Sequence, residues 1–349
     1  MLTVRYSLCA PVLFTMIRTQ TQFDLEKSSG GGISKTGLGS SAALVTSLVG
    51  ALVTFFIPEW ESLESNREAL DIVHNLAQLC HSAVQRKVGS GFDISAACYG
   101  SQRYKRFPPH ILENIYSQDD AKPQYLASCV KNQSLWKTAL RVESFALPPG
   151  FCCLMGDVVG GTSTVSMVLA WSKENAELSV QTFTMIHSRN KKLEDMLIQL
   201  TELLKMHPEL DSERQKLATV ASEMWPTIDS ALGNFFSETR ESFLHIRQAL
   251  RHLGQLTGAL IEPPEQTALI DETMKVPGVL FAGVPGAGGY DAIFVVATDE
   301  SVLTHVEQFW EVWSSNHSSI VCPLLCKAMD KLSMDRIGGL TSTRISSLN

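Results

Sequence analysis

A short segment rich in glycine and serine comes directly before a long apolar run, and it constrains the fold of this chain strongly. The segment reads KTGLGSSAA over residues 35–43, and the apolar run covers residues 44–56. Glycine lets the backbone approach a bulky anion closely, and a serine at this place can cap the helix that follows. Because a helix N-terminus has free N–H groups and a favourable dipole, the segment predicts either a phosphate-binding loop or a tight turn with an ordinary cap.

Two further segments combine glycines with a carboxylate or with apolar strands. Residues 89–101 read GSGFDISAACYGS and carry one acidic side chain, Asp93, which indicates either a helix N-cap or a functional carboxylate near a cleft. Residues 283–291 read GVPGAGGYD between strand-like apolar runs at 279–282 and 292–297. The free N–H groups of such a loop suit anions, and a plain glycine hairpin is the alternative.

In this order the three segments resemble the second motif, the catalytic aspartate segment and the third motif of the GHMP kinases. These are the galactokinase, homoserine, mevalonate and phosphomevalonate kinases. The sequence is most similar to the phosphomevalonate kinases of the fungal and plant type. The segments that carry this resemblance are KVGSGFDISAACYGSQRYKRF, GGTSTVSMV, IEPPEQTALID and GVLFAGVPGAGGYDAIFVV. The resemblance extends from about residue 35 to about residue 297, which is most of the chain.

The resemblance implies an α/β (α+β) fold of the GHMP kinase type. It has an N-terminal ribosomal-protein-S5-like domain, truncated here, and a C-terminal ferredoxin-like domain. We expect a divergent N-terminal segment over residues 1–34, a partial ATP-binding domain over 35–150 and the C-terminal domain over 151–349.

The resemblance also implies ATP-dependent phosphorylation of 5-phosphomevalonate to 5-diphosphomevalonate in the mevalonate pathway of isoprenoid and sterol precursor synthesis. Its cofactors are ATP and Mg²⁺, and its catalytic residue is Asp93. The cofactor-binding residues it implies are Lys35, Thr36, Gly37, Leu38, Gly39, Ser40, Ser41, Ala42 and Ala43. Ser40 or Ser41 is the expected Mg²⁺ ligand through its hydroxyl group. A solvated surface position is the alternative for Lys35.

The implied acceptor is itself a phosphate, which changes the role expected of Asp93. The second pKa of a phosphate monoester is about 6, so the acceptor is mostly ionised at neutral pH. The main difficulty is then to bring two anions together and to neutralise the transferring group. We therefore expect Asp93 to orient groups or to act electrostatically rather than to serve as an obligatory base.

Cations and helix ends near the acceptor phosphate follow from the same reasoning. Strand alternation would put Arg103 and Lys105 on one face and Arg106 on the other, and Arg103 is our choice for the substrate phosphate. The expected substrate-binding residues are Arg103, Ser163, Thr164, Gly286, Ala287, Gly288 and Gly289. For Ser163 and Thr164, at a hydroxyl-rich helix start, an ordinary cap is the alternative.

The N-terminal part departs from the family. Family members begin with a strand and a Pro-Gly-Lys motif that supplies an active-site lysine, whereas residues 1–34 contain no such motif and no pattern of a central strand. Two alternatives therefore stand beside an active enzyme. One is a truncated, catalytically impaired product that at most binds nucleotide, and the other is a different GHMP enzyme such as mevalonate kinase or diphosphomevalonate decarboxylase.

Composition restricts the partners and the compartment. A formal net charge of -7 argues against nucleic acid as the main partner, and no apolar stretch reaches the length of a membrane span. We expect a small-molecule substrate and no protein partner. The eight cysteines are scattered and form no disulfide framework, which is typical of a reducing compartment. The prediction is cytoplasmic, with the peroxisome as the alternative although the last residues, SLN, are no peroxisomal signal.

Secondary structure can be predicted for several segments. Apolar residues at helical spacing predict a helix over residues 67–84 with Leu70, Val73, Ala77, Cys80 and Val84 toward the core. His74 and His81 lie beside this stripe, which indicates the helix surface or a cleft edge rather than metal ligands. Strands are expected in 102–107, 138–147 and 151–159, and helices broken by two prolines in 172–258.

Overall fold

A computed structural model of the chain describes residues 2–5, 13–16, 40–57, 63, 66–117, 122–138, 141–158, 171–286, 288–324 and 340. For residues 2–5, 13–16 and 40 it describes the backbone alone. The predicted residues Lys35, Thr36, Gly37, Leu38, Gly39, Ser163, Thr164 and Ala287 lie outside the described part. The chain divides into two compact units, one of residues 1–7, 13–146 and 328–349 and the other of residues 8–12 and 147–327.

Six helices of the first unit are described, and they form most of its core. They are α1 (Ser40–Phe56), α2 (Arg67–Gln85), α3 (Phe92–Tyr99), α4 (His110–Tyr116), α5 (Pro123–Lys131) and α6 (Gln133–Trp136). Apolar side chains of α1, α2 and α3 pack into one cluster, and α2, α4, α5 and α6 share a second one that includes Trp136. Helix α2 therefore contributes to both clusters.

Helix α2 confirms the predicted helix and most of its predicted core face. Leu70, Val73 and Ala77 are buried and Cys80 is half-buried. The core position predicted for Val84 is wrong, because its side chain is 77% exposed in the last turn. The helix ends at Arg86, which adopts the left-handed conformation (φ 52°, ψ 29°). Glycine is the residue that such helix ends favour.

Of the two positions predicted for His74 and His81, a helix surface or a cleft edge, the helix surface is wrong, since both side chains are buried. The ring of His74 packs beside Tyr99 and Trp136. Burial lowers the pKa of His74 to about 4, because an imidazolium ion loses its hydration there. Helix α2 is covered on more than one side, so residues beside its apolar stripe are also enclosed.

Four short strands of the first unit form two antiparallel pairs. Strand β1 (Leu2–Arg5) pairs with β2 (Leu13–Met16), and β3 (Gln102–Tyr104) pairs with β4 (Val142–Ser144). The predictions over 102–107 and 138–147 are therefore confirmed in shortened form. The pair β1–β2 was not predicted from the sequence of residues 1–34.

One residue near the C-terminal end belongs to the core of the first unit. Leu340 packs against the α1–α3 cluster, and its N–H donates to the carbonyl of Cys98 at 3.2 Å. A Cβ atom added at Gly50 would lie 2.7 Å from a methyl group of Leu340. Glycine at position 50 thus leaves the space that the Leu340 side chain occupies.

The second unit is built on a four-stranded antiparallel sheet. Its strands are β5 (Cys152–Val158), β6 (Val279–Gly283), β7 (Ala292–Ala297) and β8 (Val321–Leu324), in the order β6-β7-β5-β8. Helices connect β5 to β6 and β7 to β8, which gives the βαββαβ arrangement of a ferredoxin-like domain. Every residue of β6 and β7 is buried, as expected from their continuous apolar sequence.

Five α-helices of this unit are described. They are α7 (Ala176–Met206), α8 (Asp211–Leu217), α9 (Ala231–Thr257), α10 (Pro264–Thr273) and α11 (Glu300–Asn316). The two predicted proline breaks coincide with 3₁₀ turns at Pro208–Leu210 and Ser222–Thr227. Mixed helices and sheets in both units confirm the predicted α/β (α+β) class.

Candidate active site

Helix α1 begins where the glycine-serine segment ends. Its first N–H groups have no partner within the helix, and the helix dipole adds positive potential at that end. Ser41 is exposed in the first turn, and its Oγ lies 3.2 Å from Nε2 of His81. The side-chain amide of Gln85 lies 2.8 Å from the same nitrogen. Ala42 is fully buried and Ala43 is half-buried, so small side chains attach this end of α1 to the core.

Asp93 lies in the first turn of α3, directly after a loop whose carbonyl groups are held by side chains. Gln78 Nε2 donates to the carbonyl of Gly91 at 2.6 Å. Gly91 has φ of +72°, and a Cβ atom there would lie 2.6 Å from the side-chain oxygen of Gln78. Glycine is therefore required at position 91.

The two preceding carbonyl groups are held in the same way. Tyr104 donates its hydroxyl to the carbonyl of Ser90 at 2.9 Å, and Arg106 Nη2 donates to the carbonyl of Gly89 at 2.9 Å. Burial raises the pKa of Tyr104 well above its usual value, and the negative charge of Asp93 adds to this effect. Three consecutive carbonyl groups are thus fixed by three side chains, which holds the half-buried Asp93 carboxylate in a defined position.

Arg103, Lys105 and Arg106 are all exposed. Arg103 forms an ion pair with Glu143, the residue opposite it across the β3–β4 pair, and its Nε donates at 3.0 Å. Arg106 instead binds the Gly89 carbonyl, so its guanidinium has a structural task. The role of Arg103 in substrate binding stays a prediction.

The glycine loop between β6 and β7 lies in the second unit. Gly286, Gly288 and Gly289 have φ values of +71°, +76° and +108°, which side-chain-bearing residues rarely adopt. The N–H of Gly289 donates to the carbonyl of Ile261 at 2.9 Å, and the N–H of Gly288 donates to the carbonyl of Pro285 at 3.1 Å. The expectation that the loop offers free N–H groups is therefore wrong for Gly288 and Gly289, since both groups are bonded to backbone carbonyl groups.

Two carboxyl groups lie beside the end of this loop. Asp157, near the end of β5, stands opposite Ala292 in the sheet and interacts electrostatically with Asp291. Partial burial and the charge of Asp291 raise the pKa of Asp157 to about 6. The sequence pattern does not indicate either residue as part of a site, because their proximity depends on the pairing of β5 with β7.

Comparison with known proteins places these segments in a family. The model of the GHMP kinase N-terminal domain matches residues 15–101, and the model of the GHMP kinase C-terminal domain matches residues 237–314. The chain belongs to the GHMP kinases. The N-terminal match includes the start of α1 and Asp93, and the C-terminal match includes the glycine loop.

Several curated relatives are phosphomevalonate kinases. The chain is 37% identical over 303 residues to the peroxisomal phosphomevalonate kinase of Arabidopsis thaliana, which covers 82% of this chain and 58% of that protein. It is 35% identical over 273 residues to the phosphomevalonate kinase of Candida albicans, with 77% of this chain and 58% of that protein covered. The chain thus spans somewhat less than three fifths of the length of these relatives.

A solved structure supports the fold. The crystal structure of the Lin0012 protein from Listeria innocua superposes with a TM-score of 0.58 at 18% identity, covering 93% of this chain and 87% of that one. At this identity the likeness concerns the fold alone.

The described residues contain no candidate membrane span and no candidate metal cluster. Within the described part of the chain, no helix has both the length and the apolar character that crossing a membrane requires. Among the same residues, no three His, Cys, Asp or Glu side chains are grouped so that they could hold a metal ion.

Proposed function

We propose that this chain transfers the γ-phosphoryl group of ATP to 5-phosphomevalonate, giving ADP and 5-diphosphomevalonate in the mevalonate pathway. The observation that carries the proposal is the 35–37% identity of most of the chain to curated phosphomevalonate kinases. The order of the three motifs along the chain supports the same reaction. We propose residues 35–150 as the ATP-binding domain and the segment from residue 151 to about 327 as the C-terminal domain, since Leu340 packs in the core of the first unit.

We assign the nucleotide to the segment from Lys35 to Ala43 at the start of α1. The exposed hydroxyl of Ser41 in the first turn is a hard oxygen ligand of the kind that Mg²⁺ accepts, and Ser40 is the neighbouring candidate. When bound, Mg²⁺ would neutralise part of the charge of the phosphate groups. His81 orients the Ser41 hydroxyl through the 3.2 Å contact.

Asp93 acts in this proposal by charge and orientation. Its acceptor is already ionised, so little is gained from a general base. The carbonyl groups of Gly89, Ser90 and Gly91 are fixed by side chains, and this rigidity lets the carboxylate keep one position during the reaction.

Arg103 is the cation that we assign to the acceptor phosphate. Separately, we propose Ser163, Thr164 and residues 286–289 as substrate-binding residues of the second unit. The side chains of Arg103 and Glu143 are 45% and 54% exposed. An ion pair this exposed contributes at most about 1 kcal/mol. Arg103 can therefore leave Glu143 and bind a dianionic phosphate with only a small loss of free energy.

The test is an assay of ADP release by the purified chain with Mg²⁺, ATP and 5-phosphomevalonate. We expect turnover with this acceptor, none with mevalonate, and a loss of about 100-fold or more in kcat for Asp93→Asn. Near-normal turnover of Asp93→Asn would remove Asp93 from the mechanism. Turnover with mevalonate would indicate a mevalonate kinase, and no turnover from folded chain would indicate a catalytically impaired product.

The matched pair Arg103→Ala and Lys105→Ala tests the acceptor site. Both side chains are exposed on one face of the same segment, and only Arg103 is assigned to the substrate. We expect a KM for 5-phosphomevalonate raised about tenfold in Arg103→Ala, because one charge-assisted contact is lost. An equal effect of both substitutions would indicate general electrostatic attraction instead. For the compartment we propose the cytoplasm, which imaging of the tagged chain can check.

A further inference from the structure

The glycine loop rests on the backbone of a second segment, residues 259–267. The N–H of Gly289 donates to the carbonyl of Ile261, and a Cβ atom added at Gly288 would overlap that carbonyl oxygen. Gln266 Nε2 donates to the carbonyl of Tyr290 at 2.8 Å. Two residues of the segment thus fix the loop from one side.

The residue next to Ile261 is held by a buried ionic network. The carboxylate of Glu262 is 0% exposed and accepts two bonds from Arg247, at 2.6 Å from Nη2 and 3.1 Å from Nε. Arg251 Nη1 and Thr267 Oγ1 each donate to the same carboxylate at 3.1 Å. The Arg247 side chain is 1% exposed and also pairs with Asp271 at 2.7 Å.

Stability alone is a weak reason for such a network. Burying two charges loses their hydration, and apolar residues of similar volume often stabilise a fold as well or better. A bidentate ion pair between arginine and a carboxylate fixes the relative orientation of both groups, which apolar packing does not do. Here the pair fixes α9, which carries Arg247, relative to Glu262, the residue after Ile261.

The two prolines after Glu262 restrict the same segment further. Pro263 precedes α10 and Pro264 occupies its first turn, where a fixed φ suits the start of a helix. The segment IEPPEQT therefore combines a buried anchor, a rigid turn and the Gln266 contact to the loop.

We propose that Arg247 and Glu262 are positioning residues, which act through the Ile261 carbonyl to hold the glycine loop in its substrate-binding conformation. The proposal rests on the proposed function, since it takes the loop as part of the acceptor site. It predicts that neutralising the Glu262 carboxylate changes substrate binding although Glu262 touches no substrate.

The experiment compares Glu262→Gln with Asp299→Asn in the full chain. Asp299 is the matched control, because it forms a 3.0 Å ion pair with Arg214, whose side chain is 4% exposed, in the same unit. Asp299 lies at the start of α11, and the hydrogen bonds of its side chain are with Arg214 and Ser301. Each substitution removes one carboxylate charge from a buried arginine and keeps the side-chain shape.

Two readouts are measured, of which one does not depend on activity. Amide hydrogen exchange at Gly289 should become at least about tenfold faster in Glu262→Gln and stay unchanged in Asp299→Asn, since only the former loosens the Ile261 carbonyl. The KM for 5-phosphomevalonate should rise about tenfold in Glu262→Gln alone, because misplaced binding groups weaken binding from a distance. The conservative variant Glu262→Asp, which keeps the charge, should recover part of both effects.

Unchanged exchange at Gly289, or equal changes of KM in both variants, would overturn the positioning role. If the wild-type chain is inactive and exchange at Gly289 is still faster in Glu262→Gln, the proposed function is contradicted. The effect of Glu262 on the bond between Gly289 and Ile261 is then supported.

Discussion

Replacement of Gly288 by alanine tests whether the glycine loop needs its backbone conformation. Gly288 has φ of +76°, and a side chain in the left-handed region costs about 1–2 kcal/mol. The new Cβ would also overlap the Ile261 carbonyl oxygen and come within 2.7 Å of its carbon. Since carbon atoms pack at about 3.5–4.0 Å, the loop must move by about 1 Å. This movement breaks the bond from Gly289 to Ile261, at a further cost of about 1 kcal/mol.

The expected result is a decrease of about 2–3 kcal/mol in the free energy of unfolding, together with a raised KM for 5-phosphomevalonate. Urea unfolding and steady-state kinetics measure the two quantities. Gly278→Ala is the control, because Gly278 has φ of +80° and its added Cβ would overlap the carbonyl of Ala218. It should lose comparable stability and keep its KM. Unchanged stability and KM in Gly288→Ala, or an equal rise of KM in both variants, would refute the reasoning.

Three further predictions concern titration and backbone conformation. The pKa of His74 is lowered from 6.5 to about 4, so folding stability should fall by about 3 kcal/mol as the pH decreases through this window, and urea unfolding of His74→Gln should show a smaller pH dependence. The pKa of Asp157 is raised from 3.8 to about 6, so its ionisation weakens the fold as the pH increases through this window. Asp157→Asn should therefore raise the melting temperature at pH 7.5 and have little effect at pH 4. Arg86→Gly should stabilise the chain by about 1 kcal/mol in urea unfolding, because glycine adopts the left-handed end of α2 without strain. The first prediction is contradicted if His74→Gln keeps the pH dependence of the wild-type chain. The second is contradicted if Asp157→Asn lowers the melting temperature at pH 7.5, and the third if Arg86→Gly decreases the free energy of unfolding.

The regular elements could be predicted wherever the sequence pattern was long and consistent. The helical spacing from residue 67 gave helix Arg67–Gln85, and the apolar runs around the glycine loop gave strands Val279–Gly283 and Ala292–Ala297. Helix ends were less predictable, as Val84 shows, because the apolar stripe continues into an exposed final turn. The burial of His74 depends on Tyr99 and Trp136, which lie far from it in sequence.

The candidate site was predictable at the level of motifs and much less at the level of contacts. The place of Asp93 in the candidate site could be predicted from the segment GSGFDISAACYGS. The three side chains that hold its loop belong to residues 78, 104 and 106, which this segment does not indicate. Strand alternation separated Arg106 from Arg103, but the bond of Arg106 to the Gly89 carbonyl and the ion pair of Arg103 with Glu143 could not be predicted from the sequence. The anchoring of the glycine loop by Glu262 required the tertiary packing of α9 against the segment before α10.

The most direct test of the proposed reaction is phosphorus NMR of the purified chain with Mg²⁺, ATP and 5-phosphomevalonate. We expect that the two coupled signals of a diphosphate replace the single phosphate signal of the acceptor, in step with the appearance of ADP. Phosphate released without any diphosphate product, or a phosphorylated hydroxyl group on the acceptor, would contradict it.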